Sequence, residues 1–240
     1  MITVATWNVL HRVHAENWYE DVAARWPDES ERIAAISARV ATLPDRIIAL
    51  QEVSGDQLAS LRNALPDRMI HALRYPRMPR PRHGPTALRD RTEYLVLVVE
   101  GPGREIAAES FEDDPGKGAL VVEAAGLTVI ATHVTGDRRR LPQLSRLRGL
   151  ADAEPQRPAV LLGDFNVDRT VVAECLGPDF TVAEFAPGAL PTRPRTSGTK
   201  SQFIDHVVMR GAVATRSNVD NADGLSDHNP VRATLSLAGD

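Results

Sequence analysis

Acidic, amide and imidazole side chains follow or precede several short apolar runs of this sequence. These residues are Asn8, Glu52, His133, Asp164, Asn166, Asp205, Asp227 and His228. Carboxylates gathered in one place cannot all stay ionised without a compensating cation. Oxygen ligands of this kind suit Mg²⁺, with Mn²⁺ as a substitute, whereas the Cys and His spacing of a zinc site is absent. Because protein-bound Mg²⁺ commonly engages substrate phosphates, the residue types predict chemistry on a phosphoester.

The apolar runs beside these residues are rich in β-branched side chains and predict strands. The strongest cover residues 2–8, 46–52, 127–133, 159–166, 203–209 and 231–237, and weaker ones cover 94–100 and 119–124. Leucine, isoleucine and valine at helical spacing predict helices behind a cap at Ser30, around Leu58 to Leu65, and from Leu141 to Leu150. Since strands and helices alternate, the predicted class is α/β.

The direction of the strands determines whether the polar residues meet. If the first four run one way and the last two run opposite, all of these side chains reach one edge of the sheets, where α/β folds bind ligands. Alternate strand residues share a face, so Asp164 and Asn166 are expected to point together. Asp205 and His206 must diverge, and His206 is therefore left out of the site.

Composition limits the classes of function. A chain of 240 residues with 42% hydrophobic content can build one sizeable core, and a single domain over 1–240 is expected. A formal charge of −4 argues against a protein that coats duplex nucleic acid. The lone Cys175, the lack of a signal-like N-terminus and the lack of a long apolar run predict a cytoplasmic protein without a membrane partner.

The ordered motifs of the chain resemble those of the endonuclease/exonuclease/phosphatase superfamily. They are TWN at 6–8, LQE at 50–52, TH at 132–133, GDFN at 163–166, IDH at 204–206 and SDH at 226–228, with smaller matches RLPQ at 140–143 and PT at 191–192. The resemblance spans essentially the whole chain. It implies a four-layer α/β sandwich, in which two packed mixed β-sheets are flanked by helices.

The resemblance also implies a metal site and an attacking water. Glu52 would be the principal Mg²⁺ ligand, helped by Asn8 and Asp227. Asp164 would activate or position the water that attacks phosphorus in line.

The remaining catalytic positions are implied in the same way. Asn166 would hold a phosphate oxygen, and Asp205 would orient His228, which contacts the scissile phosphate. His133 would be a second histidine that contacts the phosphate or donates a proton.

Arginines form three groups that could bind the substrate. Arg138 and Arg140 follow the His133 strand, and Arg193 and Arg195 precede Asp205, so these two groups are expected to grip the phosphate-bearing substrate. The proline-rich and arginine-rich segment 74–91 predicts a loop, for which a solvated face is the favoured interpretation.

Other conspicuous side chains match no motif. The histidines His11, His14, His71 and His83 are expected on the surface or in loops, and the tryptophans Trp7, Trp18 and Trp26 are expected to pack. Asp168 is expected to cap the helix that follows it.

Three functions remain open. The favoured one is a Mg²⁺-dependent phosphodiesterase acting on a nucleotide, an oligonucleotide or single-stranded nucleic acid, or a similar diester. The second is a phosphomonoesterase of a small phosphorylated metabolite. The third is a catalytically silent protein that binds a phosphorylated ligand, which the full set of polar residues disfavours.

Overall fold

Two six-stranded sheets lie face to face, with helices on their outer surfaces. The computed structural model describes residues 1–194 and 202–237. Within these ranges the strands are β1 Ile2–Asn8, β2 Ile47–Ser54, β3 Arg68–Arg74, β4 Glu93–Glu100, β5 Gly103–Phe111, β6 Asp114–Ala124, β7 Leu127–His133, β8 Ala159–Asp164, β9 Thr181–Val182, β10 Asp205–Arg210, β11 Ala212–Val219 and β12 Val231–Leu237. The helices are α1 Arg12–Asn17, α2 Asp21–Arg25, α3 Glu29–Thr42, α4 Gly55–Ala64, α5 Arg140–Asp152 and α6 Arg169–Leu176.

Both sheets are mixed and share one plan. The strand order is β11-β12-β1-β2-β4-β3 in the first sheet and β5-β6-β7-β8-β10-β9 in the second. Each contains one parallel pair near its centre, β1 with β2 and β7 with β8, and its other neighbours are antiparallel. The carboxyl ends of four strands therefore lie at one edge of the sandwich, which confirms the predicted four-layer α/β architecture.

Three large apolar clusters hold the layers together. The cluster between the sheets is built from inward-facing strand residues such as Val4, Leu97, Leu120 and Leu162. A second cluster joins the outer face of one sheet to α3 and α4, and a third joins the other sheet to α5 and α6. Because the inner strands are covered on both faces, their sequences are almost continuously apolar.

Strand prediction succeeded in the interior of the sheets and failed at their edges. All eight predicted strands are present, although β8 ends at Asp164 rather than residue 166, and β10 begins at Asp205 rather than residue 203. The unpredicted strands β3, β5, β9 and β11 are the four sheet edges. Edge strands expose one face and one row of backbone groups, so they lack the apolar run that marks an inner strand.

The predicted helices are present, with one correction to a cap. The side chain of Asp28, rather than Ser30, caps α3 by accepting from the Ser30 amide at 2.8 Å. Ser54 caps α4, and Asp168 caps α6 as predicted by accepting from Thr170 and Val171. Neither α1 nor α2 was predicted, since each is no longer than six residues and shows no helical periodicity. No helix among the described residues is long and apolar enough to cross a membrane.

Candidate active site

The strand ends surround a pocket of about 880 Å³. Its walls include these predicted site residues: Glu52, His133, Asp164, Asn166, Arg193, Asp227 and His228. Asn8 and Asp205 are buried beside it and contact residues of the pocket wall. Asp205 lies directly across from Asp164 in the antiparallel pairing of β10 with β8, which is how the last motifs return to the edge reached by the first.

Glu52 reaches the pocket through a bulge in β2. Regular alternation would place it on the same side as Leu50, which packs toward the helices. Instead, the register against β4 shifts between Leu50 and Val53, and Glu52 adopts a left-handed φ of 59°. Such a backbone costs a non-glycine residue about 1–3 kcal/mol. The fold accepts this local strain and thereby turns the carboxylate into the site.

Asn8 joins two carboxylates. Its Nδ2 donates to Glu52 Oε1 at 3.2 Å and to Asp164 Oδ2 at 3.1 Å. Its Oδ1 accepts from the Leu10 amide at 3.0 Å. The amide nitrogen therefore faces the site and fixes the spacing between Glu52 and Asp164, while the amide oxygen is engaged with the backbone.

Asp164 lies between two histidines. Its Oδ2 is 3.3 Å from Nε2 of His133 and 3.9 Å from Nε2 of His228. Burial alone would raise the pKa of Asp164, but the charges of His228, His133 and Lys117 outweigh it and hold that pKa well below its usual range. Asp164 is thus an anion that both histidines face.

Asp205 and His228 form a buried dyad. Nδ1 of His228 is 2.9 Å from Asp205 Oδ2, which leaves Nε2 directed toward Asp164. Burial acts to lower the pKa of His228, but the carboxylates of Asp205, Asp227 and Asp164 raise it to about 10. Asp205 therefore orients the ring and favours its protonated form.

Asp227 carries an unsatisfied oxygen. Its Oδ2 pairs with Nη2 of Arg193 at 3.2 Å. Its Oδ1 is buried, lies 4.0 Å from Nε2 of His228 and has no hydrogen-bond partner among the described residues. A buried carboxylate oxygen without a donor is costly, and a bound cation would satisfy it. Glu52 lines the same pocket with a half-buried carboxylate, and carboxylate oxygens of this kind fit a hard divalent cation such as Mg²⁺.

A second group of potential ligand atoms belongs to the dyad. One ligand atom each of Asp164, Asp205 and His228 lies within 4.8 Å of the others. Within this group, Nδ1 of His228 is engaged with Asp205.

Asn166 enters the pocket by a route that strand alternation does not describe. β8 ends at Asp164, and Asn166 lies beyond it with a left-handed φ of 56°. Its backbone amide donates to Asp164 Oδ1 at 2.9 Å, and its Nδ2 donates to the carbonyl of Val134 at 2.9 Å. Asp164 and Asn166 both line the pocket, as expected, but a turn rather than the predicted continuation of the strand to residue 166 brings Asn166 there.

The predicted substrate-binding arginines separate into different environments. Arg193 lines the pocket and pairs with Asp227. Arg138 is exposed, and Arg140 donates to the carbonyls of Gly136 and Asp137, so the structure does not bring either into the pocket. Arg195 lies outside the described residues.

Sequence reasoning missed several charged residues of the pocket. Lys117 on β6 is hydrogen-bonded to Nε2 of His133, and burial lowers its pKa. Glu93 at the start of β4 is buried and lies 3.2 Å from Nε2 of His14. Burial acts to lower the pKa of His14, but Glu52 and Glu93 raise it. Lys117 precedes the predicted strand 119–124, so no predicted element pointed to it.

Other unassigned aromatic residues also departed from expectation. His14 lies within α1 and lines the pocket, so the prediction of a surface or loop position was wrong for it. His11 lies in the loop before α1, as predicted, but it is 1% exposed and caps that helix. Trp7 packs as expected and donates to the carbonyl of His228 at 2.9 Å. Trp18 is 58% exposed, which contradicts a packing role.

The smaller motifs hold the loops of the site. Gln143 accepts from the Thr135 amide at 2.9 Å and so fixes the turn after His133. Thr192 Oγ1 accepts from the amides of Ile204 and Asp205 at 3.0 and 3.2 Å. These contacts explain why polar residues of RLPQ and PT are buried next to the pocket.

Comparison with known proteins identifies the family. A model of the endonuclease/exonuclease/phosphatase family matches residues 5–228. A search of curated proteins found no match.

Solved structures share the fold at low sequence identity. An endonuclease/exonuclease/phosphatase from Bacteroides vulgatus has a TM-score of 0.71 and 17% identity, covering 99% of each chain. A mannosyl-6-phosphatase from Bacteroides thetaiotaomicron has a TM-score of 0.71 and 17% identity, and the match covers 99% of this chain and 100% of the other. D. rerio TDP2 in complex with a single-strand DNA product has a TM-score of 0.69 and 13% identity, and the match covers 98% of this chain and 99% of the other. The chain therefore belongs to the endonuclease/exonuclease/phosphatase family, whose members are hydrolases acting on phosphoesters.

Proposed function

We propose that this phosphoester hydrolase is a Mg²⁺-dependent phosphodiesterase that acts on a nucleotide, an oligonucleotide or a similar diester. The observation that carries the proposal is the pairing of an ionised Asp164 with two histidines whose Nε2 atoms face it at 3.3 and 3.9 Å. This arrangement supplies an anion to receive a proton and two imidazoles to contact phosphoryl oxygens.

Glu52 and Asp227 are the residues that would hold the metal. A Mg²⁺ ion bound there would supply charge neutralisation at the phosphate oxygens. Asn8 supports the site by fixing Glu52 relative to Asp164 through its Nδ2.

Asp164 positions the water for in-line attack and takes one of its protons. The water oxygen forms a bond to phosphorus as the opposite P–O ester bond breaks. His228, held by Asp205, donates from Nε2 to a phosphoryl oxygen, and Asn166 holds another. His133 contacts the phosphate or protonates the departing oxygen. Lys117 lies at Nε2 of His133, where the two groups share a hydrogen bond.

A screen of phosphoesters with Mg²⁺ or Mn²⁺ tests the proposal. Bis(p-nitrophenyl) phosphate should be turned over faster than p-nitrophenyl phosphate, and only with metal. Replacing Asp164 or His228 with Ala should lower kcat at least ~10²-fold, the low end for one acid or base group. Asp168→Asn is the matched control, since Asn also caps helices and Asp168 is engaged with the amides of α6.

Phosphomonoester hydrolysis is the second candidate function. The fold shared with the Bacteroides thetaiotaomicron mannosyl-6-phosphatase favours it. Faster release of inorganic phosphate from p-nitrophenyl phosphate or a sugar 6-phosphate than cleavage of the diester would support this candidate. The D. rerio protein with a single-strand DNA product supports the diester instead. Phosphate binding without turnover of either ester would contradict both candidates.

A further inference from the structure

The segment 76–82, here named the rim segment, forms one wall of the pocket. Arg77, Arg80 and Arg82 are exposed at this wall. These residues are thus solvent-exposed, as the interpretation of a solvated face expects, and they also belong to the pocket wall. The same pocket is lined by the acidic residues and histidines described above, so the rim segment adds positive charge to its wall.

The backbone of the rim segment is fixed. Asn17 at the end of α1 donates from Nδ2 to the Arg80 carbonyl at 3.0 Å and accepts at Oδ1 from the Arg82 amide at 2.8 Å. Prolines at 76, 79 and 81 restrict the φ angles of the segment. The backbone of Arg80 and Arg82 is therefore fixed by hydrogen bonds, which reduces the entropy cost of ligand binding by their side chains.

The three arginines differ in whether a carboxylate neutralises their charge. Nη1 of Arg77 lies 3.3 Å from Asp114, which neutralises it. Arg80 and Arg82 form no ion pair with a carboxylate in the described ranges 1–194 and 202–237. The guanidinium carbon of Arg82 lies 4.9 Å from the ring centroid of Trp18, a cation–π contact that helps to hold it at the pocket mouth.

The scissile phosphate does not need these two arginines. His133, His228, Lys117 and Arg193 already line the pocket around Asp164. A volume of about 880 Å³ also exceeds what a single phosphate group needs, and it lies within the range for whole small ligands. Arginine matches the geometry of phosphate oxygens and binds them in bidentate fashion.

We propose that Arg80 and Arg82 bind a second phosphate group of the substrate. The inference rests on the proposed function and narrows its substrate class to nucleotides or strands that carry a phosphate next to the scissile diester. The site would therefore distinguish substrates by a group that does not react.

A matched pair of chromogenic nucleotides tests the inference. Thymidine 5′-(p-nitrophenyl phosphate) carries one phosphate, and its 3′-phosphorylated derivative carries two. With Mg²⁺, the 3′-phosphate should lower KM about tenfold in the wild type, corresponding to two charge-assisted contacts at an exposed position. In R80Q/R82Q the two KM values should converge, while kcat on the singly phosphorylated compound is retained.

The double variant R62Q/R89Q is the control. Arg62 and Arg89 are exposed and do not line the pocket, so this variant removes the same net charge elsewhere. It should behave like the wild type. On an oligothymidylate, the log–log salt dependence of 1/KM should become shallower by about 0.7 for each lost phosphate contact in R80Q/R82Q.

A binding measurement separates failure of this inference from failure of the proposed function. Calorimetry compares thymidine 3′,5′-bisphosphate with thymidine 5′-phosphate and requires no turnover. Tighter binding of the bisphosphate by the wild type but not by R80Q/R82Q supports the inference even if no diester is cleaved. The inference would be overturned if R80Q/R82Q lost the same affinity for both ligands, or if the wild type bound the bisphosphate no more tightly than the monophosphate.

Discussion

Replacing Asp205 with Asn tests how the dyad sets the protonation of His228. Asn can still accept from Nδ1, which lies 2.9 Å from Asp205 Oδ2, so the ring orientation is preserved while the charge is lost. The two charge centres are about 4 Å apart, at which a unit pair is worth about 4 kcal/mol at an effective dielectric of 20. That energy corresponds to about 3 pKa units.

The expected result is a displaced basic limb in the pH–rate profile. His228 has a pKa raised to about 10, so its protonated form, which donates to the phosphate, persists up to that pH. Without the Asp205 charge the pKa falls to roughly 7, and activity is lost as pH rises through this lower value. Below pH 6 the variant should retain activity within about tenfold of the wild type, since the imidazolium still forms there.

The assay is kcat/KM for bis(p-nitrophenyl) phosphate from pH 5 to pH 10 with saturating Mg²⁺. His206→Gln is the control, because His206 is the next residue on β10 and donates away from the site to the Val167 carbonyl at 2.8 Å. Its profile should match that of the wild type. A D205N profile with an unmoved basic limb, or with the same loss at every pH, would refute the reasoning.

Three further predictions concern stability. The free energy of unfolding of Glu52→Gly should exceed that of Glu52→Ala by about 1 kcal/mol in denaturant titrations, because only glycine adopts the φ of 59° without strain. Equal free energies would show that the bulge is unstrained. Burial lowers the pKa of His206 to about 4 in the folded protein, whereas its value in the unfolded chain is 6.5. Below pH 6.5 the unfolded state therefore binds one more proton, and lowering the pH from 7 to 5 should destabilise the wild type by about 2 kcal/mol more than H206Q. Parallel curves of stability against pH would contradict this. Gly163→Ala should destabilise the fold by about 1–3 kcal/mol, because the added Cβ would clash with the Thr132 carbonyl oxygen. Gly149→Ala, at an exposed position of α5, should stabilise it by about 0.5–1 kcal/mol, and thermal melts that rank the two variants the other way would exclude the steric account.

The inner framework could be predicted because its signal is local. Strands covered on both faces require apolar residues throughout, and the polar residue that ends each one stands out against that background. Asn8 and His133 are the last residues of their strands, as predicted, whereas β8 ends at Asp164, two residues before its predicted end. The edge strands give no such signal, because their sequences tolerate polar residues on the exposed face.

The site residues that were not predicted from the sequence reach the pocket through tertiary contacts. Lys117 lies on a strand that was predicted only from residue 119, and its contact with His133 arises from the pairing of β6 with β7. His14 reaches Glu93 across 79 positions of sequence. Likewise, the rim segment lines the pocket because Asn17 anchors it, a contact that no composition or spacing rule could indicate.

The most direct test of whether Glu52 and Asp227 hold a divalent cation is to strip the protein of metal and measure the hydrolysis rate as Mg²⁺ is added back. Bis(p-nitrophenyl) phosphate is the substrate, and Glu52→Gln is measured in parallel. We predict no turnover before Mg²⁺ is added, a saturable return of activity in the wild type, and little return in the variant. An undiminished rate in the stripped wild-type protein would contradict the account.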